Sequence, residues 1–224
     1  ELAIPPEIKT TNVPPIDRGV SEKLSRYLNV RSATAVGWQD DRMLVVTRFG
    51  QTSQLHRVSQ AMGYREQLTF FEEPIRGISI PEGGAKDHVI ISQDRGGSEF
   101  YQLYLLDLKD GSSHLLSDGR SRYSGAVWAP DSQRFGYSTT ERNGRNWDIR
   151  VQDLTGQSVS VLETTEGSWS IEDWSSDGAR MLVSKYISIN ESYLYELDLE
   201  TGALKNLFSE DQRTSIGAAE YGLN

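Results

Sequence analysis

The sequence predicts an all-β fold, a β-propeller built from four-stranded antiparallel blades. The first reason is a repeated motif in which an aspartate follows a tryptophan by three residues and an apolar run comes next. Its copies lie at 37–46, 127–137 and 173–183, a weaker copy lies at 77–91, and a fifth begins at 218–222. A repeat in the 40s made of short strands is typical of one propeller blade.

The spacing of the repeats is the second reason. The anchor positions 38, 80, 128, 174 and 221 are separated by 42, 48, 46 and 47 residues. Three turns that start with aspartate and end with glycine, at 107–111, 153–156 and 198–202, place their glycines 45 and 46 residues apart. Glycine supplies the positive φ that a tight hairpin requires. Two independent features therefore have the same period.

Each repeat contains four short β-rich runs separated by turn residues, which predicts one blade per repeat. The predicted blades are 33–71, 77–117, 125–163 and 170–208, and the start of a next blade is 217–224. Closed propellers have about four to eight blades. We interpret the chain as four blades and the start of a fifth in a seven- or eight-bladed propeller. A four-bladed ring, in which the final strand completes the first blade, is the alternative.

Residues 1–32 differ from the repeats and predict a lead-in. Prolines at positions 5, 6, 14 and 15 favour an extended chain. Ser21 to Leu28 is then predicted to form a short helix, because Ser21 can cap it and Leu24 and Leu28 share one face. We expect this segment to lie across the first blade.

The composition excludes several classes of function. The net charge is −9, which argues against nucleic acid because phosphate binding requires a basic surface. There is no cysteine, so disulfides, thiolate zinc sites and a cysteine nucleophile are excluded. No apolar run approaches the roughly 20 residues that span a bilayer.

Catalytic and metal motifs are missing from the sequence. His56, His88 and His114 fall on two different blades, so we interpret them as structural or surface residues rather than metal ligands. No Gly-x-Ser-x-Gly motif occurs, and Ser124 lacks the preceding glycine. The glycines of 96–98 link two predicted strands and start no helix, which indicates a loop and not a phosphate site. We predict no catalytic residue, metal or cofactor in this chain.

The repeated tryptophans and aspartates have a structural interpretation. Asp41, Asp131 and Asp177 lie in predicted turns, where aspartate usually bonds its own backbone; cation binding is the alternative. The tryptophans are predicted to pack near the blade core.

The loops between the second and third strands are the most distinctive surfaces. Equivalent loops of a propeller emerge on one face, so their polar side chains could form a mixed-charge ring that binds a substrate or partner. The candidate residues are Arg48, Arg95, Glu99, Arg142, Arg145, Asn190 and Glu191. Ordinary solvated turns are the alternative. Residues 190–192 also match a glycosylation sequon.

Several stretches resemble a known family. The lead-in strings 12–16 and 27–33, the strand strings 47–50, 54–58 and 67–71, and the loop strings 97–104 and 188–195 resemble the start of bacterial prolyl oligopeptidase family serine peptidases. The Trp and Asp turns are similar to those of the TolB-type propeller repeat.

The resemblance implies more than the residues do. Members of this family join such a propeller to an α/β-hydrolase domain that holds the catalytic Ser, Asp and His, none of which is present in this chain. Their propeller restricts access to peptides, and in dipeptidyl-type members acidic residues bind the free amino end of the substrate. Glu99 and Glu191 lie in loops suited to that role. Family members are often exported, which implies the periplasm or secretion, with the cytoplasm as the alternative.

These observations lead to two main hypotheses. The first is a non-catalytic propeller domain that gates and orients peptides for an α/β-hydrolase domain absent from this chain. The second is a stand-alone TolB-like propeller that binds a protein partner. Open blade edges would in either case allow self-association. A glycosidase with paired carboxylates has no residues that we could nominate.

Overall fold

The computed structural model describes residues 2–4, 6, 8–84, 86–208 and 215–222. Within them lie one helix, α1 (Arg18–Leu28), and sixteen strands. The strands are β1 (Ala33–Gln39), β2 (Arg42–Thr47), β3 (Gln54–Val58), β4 (Arg65–Gln67), β5 (Gly77–Ser79), β6 (His88–Gln93), β7 (Gln102–Asp107), β8 (Ser113–Leu115), β9 (Tyr123–Trp128), β10 (Arg134–Thr139), β11 (Asp148–Asp153), β12 (Ser158–Leu162), β13 (Ser168–Trp174), β14 (Arg180–Ser188), β15 (Glu191–Asp198) and β16 (Leu204–Asn206).

The strands form four antiparallel sheets of four strands, each in simple chain order. The sheets are therefore the four predicted blades: β1–β4, β5–β8, β9–β12 and β13–β16. First strands of neighbouring blades lie side by side, as β5 and β9 do, and β9 and β13. Each blade has two ends. One end carries the loop between the second and third strands and the connector to the next blade, and we call it the loop face. The opposite end, with the other turns, is the turn face.

Helix α1 begins earlier than the sequence pattern indicated. Its N-cap is Asp17 and not Ser21, because the Asp17 carboxylate accepts hydrogen bonds from the backbone N–H of Gly19 at 2.7 Å and of Val20 at 3.3 Å. The predicted apolar face is present, but Leu24 and Leu28 are exposed and no helix residue is buried. The helix therefore buries no side chain against the first blade.

Apolar side chains between successive blades make the core. One cluster joins blades one and two, a second joins blades two and three, and a third joins blades three and four. The middle blades are buried on both faces, so in β6 Val89 and Ile91 face blade one while Ile90 faces blade three. Blades three and four approach each other closely at Gly136, because a Cβ atom at this position would overlap Ile171 of the fourth blade. The described blades therefore form a packed arc.

The repeated tryptophans tie each blade to the one before it. Trp128 Nε1 donates to the backbone oxygen of Ser79 at 3.0 Å, and Trp174 Nε1 donates to that of Val127 at 3.1 Å. Both rings are buried, at 7% and 4% exposure. The packing role predicted for them is confirmed. Trp38 differs, because no described blade precedes its own, and its side chain is 51% exposed.

The start of the fifth repeat lies against the fourth blade. Tyr221 occupies the position of the repeated tryptophan, its N–H donates to Asp173 Oδ2 at 2.8 Å, and its hydroxyl donates to Glu196 at 3.1 Å. Trp174 likewise bonds to Val127, the residue directly before Trp128, and Asp173 is the residue directly before Trp174. The chain therefore follows the path of a next first strand, although no strand is assigned there. Residues 223–224 of the predicted segment lie outside the described residues.

A buried polar residue at the start of the third strand closes each of the first three blades on the loop face. Gln102 accepts from Ser117 Oγ at 2.7 Å and from Gly119 N at 2.9 Å, and it donates to the oxygen of Ser121 at 2.7 Å. Gln54 makes the same kind of contacts with the end of its own blade. We call this arrangement the clasp, because one side chain holds the end of the fourth strand and the connector that follows.

Asp148 occupies the clasp position of the third blade, but a carboxylate can only accept hydrogen bonds. It accepts from Thr164 N at 2.8 Å and, through both oxygens, from Arg142 at 2.7 and 2.9 Å. The missing donor comes from Arg142, which donates to the backbone oxygen of Thr164 at 2.6 Å. Arg142 and Asp148 together therefore replace one glutamine. In the fourth blade the register puts Tyr193 at this position.

The turn face is built from aspartates that bond their own backbone. Asp131 accepts from Gln133 N at 2.8 Å, and Asp177 accepts from Ala179 N at 3.0 Å, which confirms the predicted turn role. In the first blade the turn between β1 and β2 consists of Asp40, with a φ of 52°, and Asp41. The predicted hairpin glycines at 111, 156 and 202 all have positive φ.

Replacing Trp174 with Phe should lower the free energy of unfolding by about 1–3 kcal/mol, because the variant loses packing volume and the hydrogen bond to Val127. Urea denaturation measures the change. The control is Trp38→Phe, which alters an exposed ring and should cost little. Equal losses in the two variants would contradict the proposed tie between blades.

Replacing Arg142 with Ala should destabilise the chain by about 1.5–3 kcal/mol, because it leaves the buried Asp148 carboxylate without its cation. Introducing Asp148→Gln into this variant should restore most of the loss, since glutamine supplies both donor and acceptor. Arg145→Ala, an exposed arginine in the same loop, is the control. Denaturation curves measure the stability of each variant. If Asp148→Gln does not restore the stability lost in Arg142→Ala, the clasp interpretation is wrong.

Stability should fall in acid because of His56. The imidazole is fully buried, its Nε2 has no partner among the described residues, and burial lowers its pKa below 6.5. Below pH 6.5 the unfolded chain gains a proton that the folded chain does not, so stability decreases by up to about 1.4 kcal/mol per pH unit down to the folded pKa. His56→Gln should flatten the urea-midpoint profile between pH 6.5 and 5, and the exposed His114→Gln should not.

Candidate functional site

The loop face is positioned by the blades and by their clasps. In the second blade Gln102 joins the loop that ends at Phe100 to the connector that contains Ser121, at 3.1 and 2.7 Å. The connector is then bonded to the next blade, where Thr140 N donates to the oxygen of Arg122 at 3.0 Å. Loops and connectors of neighbouring blades are thus linked by hydrogen bonds. The side chains that they present have fixed backbone positions.

Two of the nominated arginines hold the fold together. Arg142 is bonded to Asp148, and this partner raises the pKa of the guanidinium while lowering that of the carboxyl. Arg48 donates to the backbone oxygens of Leu28 and Val30, each at 3.3 Å, and so fastens the lead-in to the first blade. Both side chains remain partly accessible, but their main contacts are structural.

Arg95 and Glu99 lie in the loop of the second blade and are exposed. The loop is held from below, because Glu99 N donates to the buried Asp94 at 2.9 Å and Gly96 N donates to Glu73 at 2.8 Å. Glu99 has a φ of 59°, a conformation that few non-glycine residues adopt. The Arg95 and Glu99 side chains form no hydrogen bond or ion pair with the described residues and are available to a ligand.

The loops of the third and fourth blades present the remaining nominated residues. Arg145 is exposed, and its N–H is held by Asn143 at 3.0 Å. Asn190 is exposed at the tip of the hairpin between β14 and β15. Glu191 accepts from the hydroxyl of Tyr193 at 2.7 Å. Glu191 also lines a cavity of about 400 Å³ whose wall includes Lys185, itself paired with Glu166 at 2.5 Å.

Within the described residues, none of the four nominated arginines bonds to another nominated side chain. That the nominated side chains form one binding ring therefore stays a prediction. Sequence reasoning also missed the residues that enter the first strands at the loop face, among them Arg76 and Arg122. The sequence carries a signal for them, because an arginine lies one or two residues before each of three successive first strands.

The turn face holds a cavity of about 600 Å³ between blades two and three. Pro81, Pro130 and Leu154 make its apolar part, and His88 lies 3.5 Å from Asp107 at one side. The three histidines do not cluster, and no group of three or more metal-ligating side chains occurs in the described chain. Nor does that part of the chain hold a helix long and apolar enough for a bilayer.

Solved structures show the same fold. A structure from a study of two prolyl endopeptidases and the role of inter-domain dynamics matches with a TM-score of 0.65 and 16% identity, over 86% of this chain and 31% of that one. TolB from Acinetobacter baumannii matches with a TM-score of 0.58 and 17% identity, over 79% and 43%. Dipeptidyl peptidase 4 from Porphyromonas gingivalis matches with a TM-score of 0.59 and 14% identity, over 79% and 26%.

These identities support a shared fold only, and the chain spans less than half the length of each of these proteins. No curated protein matches the sequence. A family profile described as the N-terminal beta-propeller domain of prolyl oligopeptidase matches residues 75–220. This match covers well over half of the 224 residues and begins at the second blade. The chain therefore belongs to the family of prolyl oligopeptidase N-terminal β-propeller domains.

Proposed function

We propose that this chain is a non-catalytic propeller that gates and orients peptide substrates for an α/β-hydrolase domain of the same protein. The family membership of residues 75–220 carries this proposal. Propellers of this family are paired with a hydrolase domain, which would supply the serine, aspartate and histidine. The propeller would restrict access to unfolded peptides and hold them for cleavage.

The two faces of the arc differ in a way that supports this role. On the turn face, aspartates such as Asp131 and Asp177 are occupied by their own turns. On the loop face, Arg95 and Glu99 are exposed on a loop whose backbone is fixed. A loop with a fixed backbone loses little further backbone entropy when it binds a ligand. The loop face is accordingly the side at which we place the peptide.

Glu99 and Glu191 are the proposed partners of a peptide amino group. Glu99 is exposed, and Glu191 borders the cavity that Lys185 and Tyr193 also line. A carboxylate is the natural partner of an ammonium group, and such a pair is stronger where water is partly excluded. Glu191 is half-buried, which favours it over Glu99 as the stronger of the two.

A second candidate function is a protein-binding module like TolB. It is favoured by the similarity to two TolB structures, from Acinetobacter baumannii and Agrobacterium tumefaciens, with TM-scores of 0.58 and 0.59. In this case the loop face would contact a folded partner. Reading the gene beyond position 224 separates the candidates. A following Gly-x-Ser-x-Gly motif supports the peptidase, and an immediate stop codon supports the module.

The chain should bind unstructured peptides without cleaving them. In isothermal titration, the double variant Arg95→Ala with Glu99→Ala should weaken binding by roughly three- to tenfold, because each exposed charged contact contributes up to about 1 kcal/mol. The control is Lys86→Ala with Glu82→Ala, a matched pair of exposed charges on the turn face. Peptide hydrolysis that survives both repurification and the loop-face double variant would contradict a non-catalytic role.

A further inference from the structure

The arginines of the blades divide into paired and unpaired groups, and the unpaired group lies mainly on one face. On the turn face, Arg42 pairs with Asp40 at 3.0 Å and Arg134 pairs with Asp131 at 2.9 Å. Arginines on the loop face with no ion pair to any described residue are Arg31, Arg48, Arg76, Arg95, Arg122 and Arg145. A chain with a net charge of −9 thus leaves several guanidinium groups uncompensated on this face.

Three of these residues, Arg31, Arg76 and Arg122, enter the first strands of blades one, two and three. The main chain of two of them is held in place: Arg76 N donates to the oxygen of Ser92 at 3.0 Å, and Arg122 N donates to Thr140 Oγ1 at 3.2 Å. All three side chains are exposed. Since β5 and β9 lie side by side, Arg76 and Arg122 enter adjacent strands on the loop face, and Arg31 enters the first strand of the preceding blade. We call them the arginine rim.

Arg122 has a second feature that points to a ligand. Its Cζ atom lies 4.6 Å from the centre of the Phe100 ring, and Phe100 is 41% exposed. A guanidinium that lies over a ring face leaves N–H groups at its edge for a ligand. Two parallel N–H groups then match the two oxygens of a carboxylate, and the ring offers an apolar surface to the adjoining side chain.

We propose that the arginine rim binds the free C-terminal carboxylate of a peptide, with Phe100 and Arg122 as the anchor. The inference rests on the proposed peptide-binding function and names which end of the peptide the rim holds. Arginine instead of lysine at all three positions favours bidentate recognition over simple charge attraction. A polyanion is disfavoured because the turn face and the net charge of −9 would repel it. Opposite ends of one peptide would thus contact the rim and the loop-face carboxylates.

The test is isothermal titration of the 224-residue chain with three probes. The probes are a short N-acetylated peptide ending in phenylalanine as the free acid, the same peptide as the C-terminal amide, and inorganic phosphate. The free acid should bind about tenfold more tightly than the amide, the effect of one charge-assisted bidentate contact. This preference should weaken as salt rises, because the guanidinium groups are exposed.

The double variant Arg76→Gln with Arg122→Gln should bind acid and amide equally. Arg76→Lys with Arg122→Lys keeps the charge but not the planar fork, and it should recover only part of the preference. Arg26→Gln removes a charge from the exposed helix and should leave the preference intact. The unfolding midpoint of every variant is measured, so that lost binding is not confused with lost fold.

Each outcome bears on the proposal. Equal binding of acid and amide to the unmodified chain overturns the arginine rim while leaving peptide binding in place. Displacement of the acid by phosphate at equal concentration shows general anion binding and also overturns it. Absence of binding by either peptide overturns the rim and counts against the proposed function. A preference for the acid that disappears only in the arginine variants establishes the carboxylate site.

Discussion

The clasp at the start of the third strand is the constraint on which the loop face depends. In the first three blades a buried polar side chain, Gln54, Gln102 or Asp148, holds the end of the outer strand and the connector to the next blade. These bonds give partners to backbone groups of the connector, such as the N–H of Gly119 and the oxygen of Ser121. Satisfying them locally makes the connectors rigid. In the second and third blades, the loops that carry the exposed Arg95, Glu99 and Arg145 stand next to this support.

The clasp also explains why Arg142 is not a free binding residue. An aspartate in place of glutamine removes a donor, and Arg142 restores it by bonding Thr164 while neutralising Asp148. The charge of Arg142 is thus neutralised by Asp148, whereas Arg145 in the same loop has no ion pair with a described residue. Arg95 and Arg122 have no ion pair with a described residue, and their backbones are held by other contacts. The structure therefore separates support from recognition within a single face.

Much of the fold could be predicted from the sequence, because a blade is a local structure with a repeating pattern. Strand bounds follow the alternation of apolar residues, and turns follow aspartate and glycine. The helix start was predicted wrongly because Ser21 and Asp17 are both good caps, and only the path of the preceding chain selects Asp17. The burial of Trp38 was also predicted wrongly. The motif is the same as at Trp174, but burial requires a preceding blade, which a local pattern does not contain.

The sequence by itself determined the number of repeats, the blade architecture and the turns, since these depend on residues close together in the chain. Only the tertiary structure decided which charged side chains are free. Arg142 and Arg145 are three residues apart in one loop, yet the first is bonded to a buried carboxylate and the side chain of the second has no bond to a described residue. Pairing depends on contacts that join a loop to strands and connectors up to 22 residues away. Such contacts leave no periodic signal, so the assignment of binding residues needed the folded chain.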